Sequence, residues 1–125
     1  MAEILVIDDS VVIRNALRAE LIRAGHVVHE AVDGVEGIRQ AQNLKPDLII
    51  LDVVMPAMDG MKVHAQLRRS SQTLPIVFLS AMASQTYKNP EFCPSPDVFL
   101  PKPPDMDRLL KVITLLLKQY PQPKR

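Results

Sequence analysis

Two short apolar runs, Ile4-Leu5-Val6-Ile7 and Leu48-Ile49-Ile50-Leu51, each end in acid: Asp8-Asp9 after the first and Asp52 after the second. Uninterrupted runs of Ile, Val and Leu of this length read as strands buried on both faces, the mark of a parallel sheet. An ionised carboxylate is too costly to bury unpaired inside such a strand. The acids therefore belong at the carboxyl ends of the strands, where open α/β sheets place their ligand crevice. If the two strands are neighbours, three carboxylates converge. Such a cluster repels itself at neutral pH unless a cation or a raised pKa relieves it.

Helix and strand signals alternate along the rest of the chain. Strand is predicted at 3–7, 27–31, 48–51, 76–79 and 98–100. Ser10 is a suitable N-cap for a first helix, in which Ile13, Ala16, Leu17, Leu21 and Ala24 recur at helical spacing before Gly25 stops it. Asp33-Gly34 turns into a second helix that ends before Pro46. Asp59 caps a third, which carries Val63 and Leu67. The last helix has the widest apolar stripe: Met106, Leu109, Leu110, Ile113, Leu116, Leu117 and Tyr120, a core face by its breadth. Strands separated by helices require right-handed crossovers. The predicted fold is α/β, a doubly wound five-stranded parallel sheet in three α/β/α layers. Ala83–Asp97 breaks the rhythm, because Pro90, Pro94 and Pro96 each cost a helix interior about 3 kcal/mol. The fourth helix, between strands four and five, is thus expected to be shortened to a turn near Ala83–Lys88 or irregular. Pro101 lacks a backbone donor, which suits an edge strand for the fifth.

The 125 residues are 47% hydrophobic with a formal net charge of +1. This fits one domain over residues 1–120, with 121–125 as a tail or the start of a linker. The charge balance gives no nucleic-acid footprint, and no apolar stretch is long enough to span a bilayer, so neither nucleic acid nor membrane is expected as a partner. A lone Cys93 excludes an internal disulfide and fits a reducing cytoplasm. It has no basic neighbour to activate it as a nucleophile. His26, His29 and His64 lack metal-site spacing and are expected at the surface or half-buried.

The order Asp8-Asp9, Asp52, Ser80, Lys102-Pro103 resembles the receiver domain of two-component response regulators, as in single-domain chemotaxis regulators. The likeness covers nearly the whole chain. Leu51-Asp52-Val53-Val54-Met55-Pro56-Ala57-Met58-Asp59-Gly60 is similar to the family's phosphorylation-site loop, and Val98-Phe99-Leu100-Pro101-Lys102-Pro103 to its fifth strand. Matches in order on matching elements are far more specific than any single Asp pair. The resemblance implies a flavodoxin-like strand order 2-1-3-4-5. It implies Asp52 as phosphoacceptor from a sensor histidine kinase, a phosphotransfer protein or a small phosphodonor. Asp8, Asp9 and Asp52 with the backbone carbonyl of Val54 are implied as the Mg²⁺ ligands. Lys102 is implied as the partner of the phosphoryl group, with a cis bond to Pro103. Ser80 and Phe99 are implied as the switch hydroxyl and aromatic that change together and signal to a downstream protein. On residues alone, Ser80 also reads as a turn residue and Phe99 as core.

The chemistry agrees with the resemblance. Phosphoryl transfer to a carboxylate is mostly positioning and charge neutralisation, and clustered acids, a lysine and a hydroxyl supply that set. Two positions depart from it. Val54 and Met82 would flank the phosphoryl group without a polar side chain to position a hydrolytic water, so slow self-dephosphorylation is expected. Val54 also stands where a haloacid-dehalogenase-type phosphatase would need a second Asp. The acidic loop Asp8-Asp9-Ser10-Val11-Val12 is equally unsuited to a flavodoxin-type phosphate cradle. A receiver-like interaction module that is not phosphorylated is the other alternative.

Overall fold

The computed structural model describes residues 2–53, 60–80 and 95–123. In chain order the elements are β1 (Glu3–Ile7), α1 (Val11–Arg23), β2 (Val27–Ala31), α2 (Gly34–Leu44), β3 (Leu48–Asp52), α3 (Gly60–Ser70), β4 (Ile76–Ser80), β5 (Asp97–Pro101) and α4 (Met106–Gln119). All strand pairs are parallel and the order is β2-β1-β3-β4-β5, the expected doubly wound arrangement. Most of the segment expected to hold a shortened fourth helix, with Pro90 and Pro94, lies outside the described residues. So do Val54, Pro56, Asp59, Met82 and Cys93.

Position in the sheet accounts for the sequence of each strand. β3 lies in the middle and is buried along its whole length. Its pure apolar run follows from having helices on both faces. The edge strands β2 and β5 are only partly covered and accordingly mix polar and apolar residues. Alternating side chains divide the core in two. Ile4, Val6, Leu48, Ile50, Val77 and Leu79 meet α1 and α4 on one face. On the other, Leu5, Ile7, Ile49, Leu51, Ile76 and Phe78 meet α2 and α3. Pro101 sits on the edge strand opposite Ser80, where its missing donor disturbs one ladder only.

Local capping sets the helix starts. Ile13 N donates to Ser10 Oγ (3.3 Å), Glu36 N to Asp33 Oδ1 (2.9 Å) and Arg108 N to Asp105 Oδ1 (3.2 Å). Gly25 ends α1 with φ +94°, a left-handed conformation that favours glycine. Two stripes differ in detail from expectation. In α1 only Leu17 and Leu21 are fully buried, while Ala16 and Ala24 face solvent. In α4 the buried line is Leu109, Val112, Ile113 and Leu116, with Leu110 and Leu117 at its margin. The three histidines are half-buried. His64 of α3 holds Asp97 of β5 at 2.9 Å, and Arg68 pairs with the same carboxylate. Among the described residues no helix is long and apolar enough to cross a membrane.

Candidate functional site

The register brings the acids together. Ile7 lies opposite Leu51, so the residues that follow, Asp8 and Asp52, emerge side by side at the carboxyl edge of β1 and β3. Their exposures are 1% and 5%. Asp9 joins them from the solvent side, and one oxygen from each acid lies within 4.8 Å of the others. Such a group is tenable only with positive charge beside it. Lys102 supplies part of that charge from the turn after β5. Its Nζ stands 3.1 Å from Asp8 Oδ2 and 3.1 Å from Asp52 Oδ2. Burial alone would pull the lysine pKa down, but its hydrogen bonding and attraction to Asp8 and Asp52 outweigh burial and raise it. Lys102 is therefore a cation at any physiological pH. The Lys102-Pro103 peptide is cis.

Asp8 is fastened on several sides. Its N–H donates to Ala31 O of β2 (3.1 Å). Its Oδ1 accepts from Ser10 N (2.8 Å) and its carbonyl from an Arg14 guanidinium N–H (2.7 Å). Oδ2 differs: it is buried and faces the Lys102 ammonium at 3.1 Å. A carboxylate oxygen so placed, beside two further acids, is a donor set for a hard divalent cation that takes oxygen ligands. Three carboxylates against one ammonium leave an excess of negative charge, which Mg²⁺ fits.

The remaining predicted residues lie around this centre at different removes. Ser80 ends β4, the strand next to β3, and its carbonyl accepts from Lys102 N at 3.0 Å. Phe99 sits farther back on β5. It lies opposite Phe78 on the α3 side, stacked on it with centroids 4.4 Å apart and planes 7° apart, and it remains 41% exposed. The Val54 carbonyl, expected as a metal ligand, lies outside the described residues. The chain returns to the site at Gly60, whose N–H donates to Val53 O at 2.7 Å. A Cβ there would run into the Asp52 carbonyl and come within 2.7 Å of Val53 Cα, so α3 can start against the end of β3 only from a glycine.

Arg14 and Glu30 were not foreseen from the sequence. Arg14 of α1 binds Glu30 of β2 (3.1 Å) as well as the Asp8 carbonyl. The only available signal was an opposite charge on the next strand, which any surface pair would also give.

Residues 4–114 match the family model of the response regulator receiver domain. The chain is 39% identical over 116 residues to the response regulator MprA of Mycobacterium sp. (strain KMS), covering 93% of this chain and 50% of that protein. It is 37% identical over 121 residues to the DNA-binding dual master transcriptional regulator RpaA of Synechocystis sp., covering 95% and 50%. It thus spans about half the length of these relatives. Among solved structures, Vibrio cholerae chemotaxis protein CheY4 superposes with a TM-score of 0.75 at 31% identity, covering 96% of this chain and 98% of that one. The receiver domain of the hybrid histidine kinase CckA superposes with a TM-score of 0.76, also at 31% identity, covering 92% and 98%.

Proposed function

The chain belongs to the response regulator receiver family, and on that premise we propose that it is a phosphorylation-activated switch whose phosphoacceptor is Asp52. The observation that supports this best is the Lys102 ammonium, 3.1 Å from the carboxylates of both Asp8 and Asp52. A group that holds two buried acids in one place also suits the oxygens of an incoming phosphoryl group.

In the proposed reaction an Asp52 carboxylate oxygen forms a bond to phosphorus. The bond from phosphorus to the donor atom breaks, and its electron pair leaves with the donor, a histidine of a sensor kinase or phosphotransfer protein, or a small phosphodonor. Asp8 and Asp9, with Asp52 and the Val54 carbonyl, would hold Mg²⁺, which when bound neutralises charge on the phosphoryl oxygens. Lys102 moves its ion pair from the Asp52 carboxylate to the new phosphoryl group. Asp8 and Asp9 keep their charges, so the acyl phosphate is formed in a site already balanced for it. The Ser80 hydroxyl would bind a phosphoryl oxygen. Phe99 would follow by leaving its stack on Phe78, changing the face seen by a downstream protein. Apart from transfer to itself and slow self-dephosphorylation, no enzymatic activity is proposed. The expected setting is the cytoplasm, where kinase domains and phosphodonors meet the protein.

Intact mass after incubation with Mg²⁺ and acetyl phosphate tests this. Wild type gains one phosphoryl adduct and Asp52→Asn gains none. No adduct on wild type, together with absent Mg²⁺ binding, would favour an interaction module that works without phosphate. Steady release of inorganic phosphate with turnover would favour an aspartyl phosphatase.

A further inference from the structure

Arg14 of α1 is the most enclosed link between this helix and the site. Its side chain is only 13% exposed and both contacts point inward. Nε donates to Glu30 Oε1 at 3.1 Å and an N–H of the guanidinium head donates to the Asp8 carbonyl at 2.7 Å. Glu30 is held in turn, since Gln40 of α2 donates to its backbone carbonyl at 2.7 Å. One line of contacts therefore runs from α2 through β2 and α1 to the residue that leaves β1 for the acid cluster.

We infer that Arg14, braced by Glu30, is the positioning residue that fixes Asp8 for metal binding. The inference rests on the proposed function, because it assigns Asp8 to the metal. Besides the Lys102 ion pair, three fasteners hold Asp8: Ala31 O takes its N–H, Ser10 N holds Oδ1, and Arg14 takes its carbonyl. The first two are backbone groups that come with the strand and the cap. Lys102 holds the Asp8 carboxylate from the cluster side, and Arg14 is the side chain that holds its main chain, where the chain turns out of the sheet. A planar fork can bind a carboxylate and a carbonyl together, whereas an ammonium on a flexible stem has no such fixed geometry. With the peptide held by Arg14 and Oδ1 by Ser10 N, Oδ2 is left on the cluster side, facing Lys102. Partners that orient a metal ligand in this way typically account for about 10- to 100-fold in metal affinity.

Arg18 provides an internal control. It also reaches Glu30, at 3.6 Å, but is 57% exposed, and its ion pair ends on Glu30. Calorimetric titration of Mg²⁺ into the full chain, without phosphodonor, compares wild type with Arg14→Met, Arg14→Lys and Arg18→Met. Arg14→Met should weaken Mg²⁺ binding by about tenfold. Arg14→Lys should recover part of the loss, and Arg18→Met should leave affinity close to wild type. In acetyl phosphate assays the Mg²⁺ concentration for half-maximal rate should rise in Arg14→Met, while the rate at saturating Mg²⁺ returns towards wild type. Unchanged Mg²⁺ affinity in a folded Arg14→Met protein overturns the inference. So does an equal loss in Arg18→Met, which would make the effect one of general charge. If circular dichroism finds Arg14→Met unfolded, Arg14→Lys decides, and wild-type affinity there overturns it. Failure of the underlying function looks different: wild type itself would bind no Mg²⁺ or take no phosphoryl group.

Discussion

Replacing Asp9 by Asn should make the metal-free protein more stable. Asp9 is the exposed member of the cluster, with an oxygen within 4.8 Å of one on Asp8 and one on Asp52. Two unit charges at that distance repel by about 0.9 kcal/mol in water and about 3.5 kcal/mol at an effective dielectric constant of 20. For an exposed side chain the aqueous end applies, so two repulsions together come to about 1.7 kcal/mol. The N-terminus of α1 begins just beyond and favours a negative charge by about 0.5 kcal/mol. The net gain is then about 1 kcal/mol, or roughly 4 °C in melting temperature for a chain of this size. Thermal unfolding in chelator at low salt measures it, and 1 M NaCl should remove most of it by screening. Mg²⁺ should reverse the ranking. Wild type gains about 2.7 kcal/mol at a ligand concentration one hundred times its dissociation constant, a gain the variant largely forgoes. A metal-free Asp9→Asn protein no more stable than wild type would refute the claim that these acids repel one another across the cluster.

Three further outcomes are expected. Gly60→Ala should destabilise by about 2 to 3 kcal/mol in urea titrations, because the new methyl meets backbone atoms of Asp52 and Val53 that cannot move aside; a cost below about 0.5 kcal/mol would show that α3 can shift freely there. The pKa of Lys102 is raised above the ordinary 10.5, so its stabilising contribution is complete below that pH and is lost as pH climbs through the raised value. Lys102→Met should then differ in stability from wild type at neutral pH and converge on it in alkali, followed by circular dichroism; a constant difference across the alkaline range would contradict the linkage. Finally, the Val54→Asn, Met82→Glu double variant should lose phosphate faster than the parent in a decay assay, since both parent side chains lack a group to position water; an unchanged decay would remove the argument for a long-lived signal.

The strands were legible because burial on both faces demands continuous apolar residues, as in β3, and because prolines and acids mark their ends. The caps at Ser10, Asp33 and Asp105 follow from short-range chemistry, although only Ser10 was expected as a cap and Asp33 was expected as part of a turn. Asp52 was expected just past its strand and is instead its last residue. A carboxylate can occupy that position because Lys102, in the turn after β5 and distant in sequence, neutralises it. Helix stripes were read less sharply. In α4 the stripe was too wide to tell which residues lie at its centre, and Val112 was passed over. The convergence of Asp8, Asp9 and Asp52 could be expected from strand ends, and the place of Lys102 beside them from the family resemblance. The Arg14–Glu30 brace could not, nor could the His64–Asp97–Arg68 contacts. Each joins a helix to a strand across the fold, with no periodicity to announce it.

The pairing of Lys102 with Asp8 and Asp52 has a consequence for how the chain is made. On the ribosome the acids are synthesised early and their cation late. A nascent chain that has completed β1 and β3 holds the two central apolar strands, yet it cannot lay their acidic ends against each other without an uncompensated cost. That cost falls only when the turn after β5 emerges. The turn after the last strand thus completes the charge balance of the first.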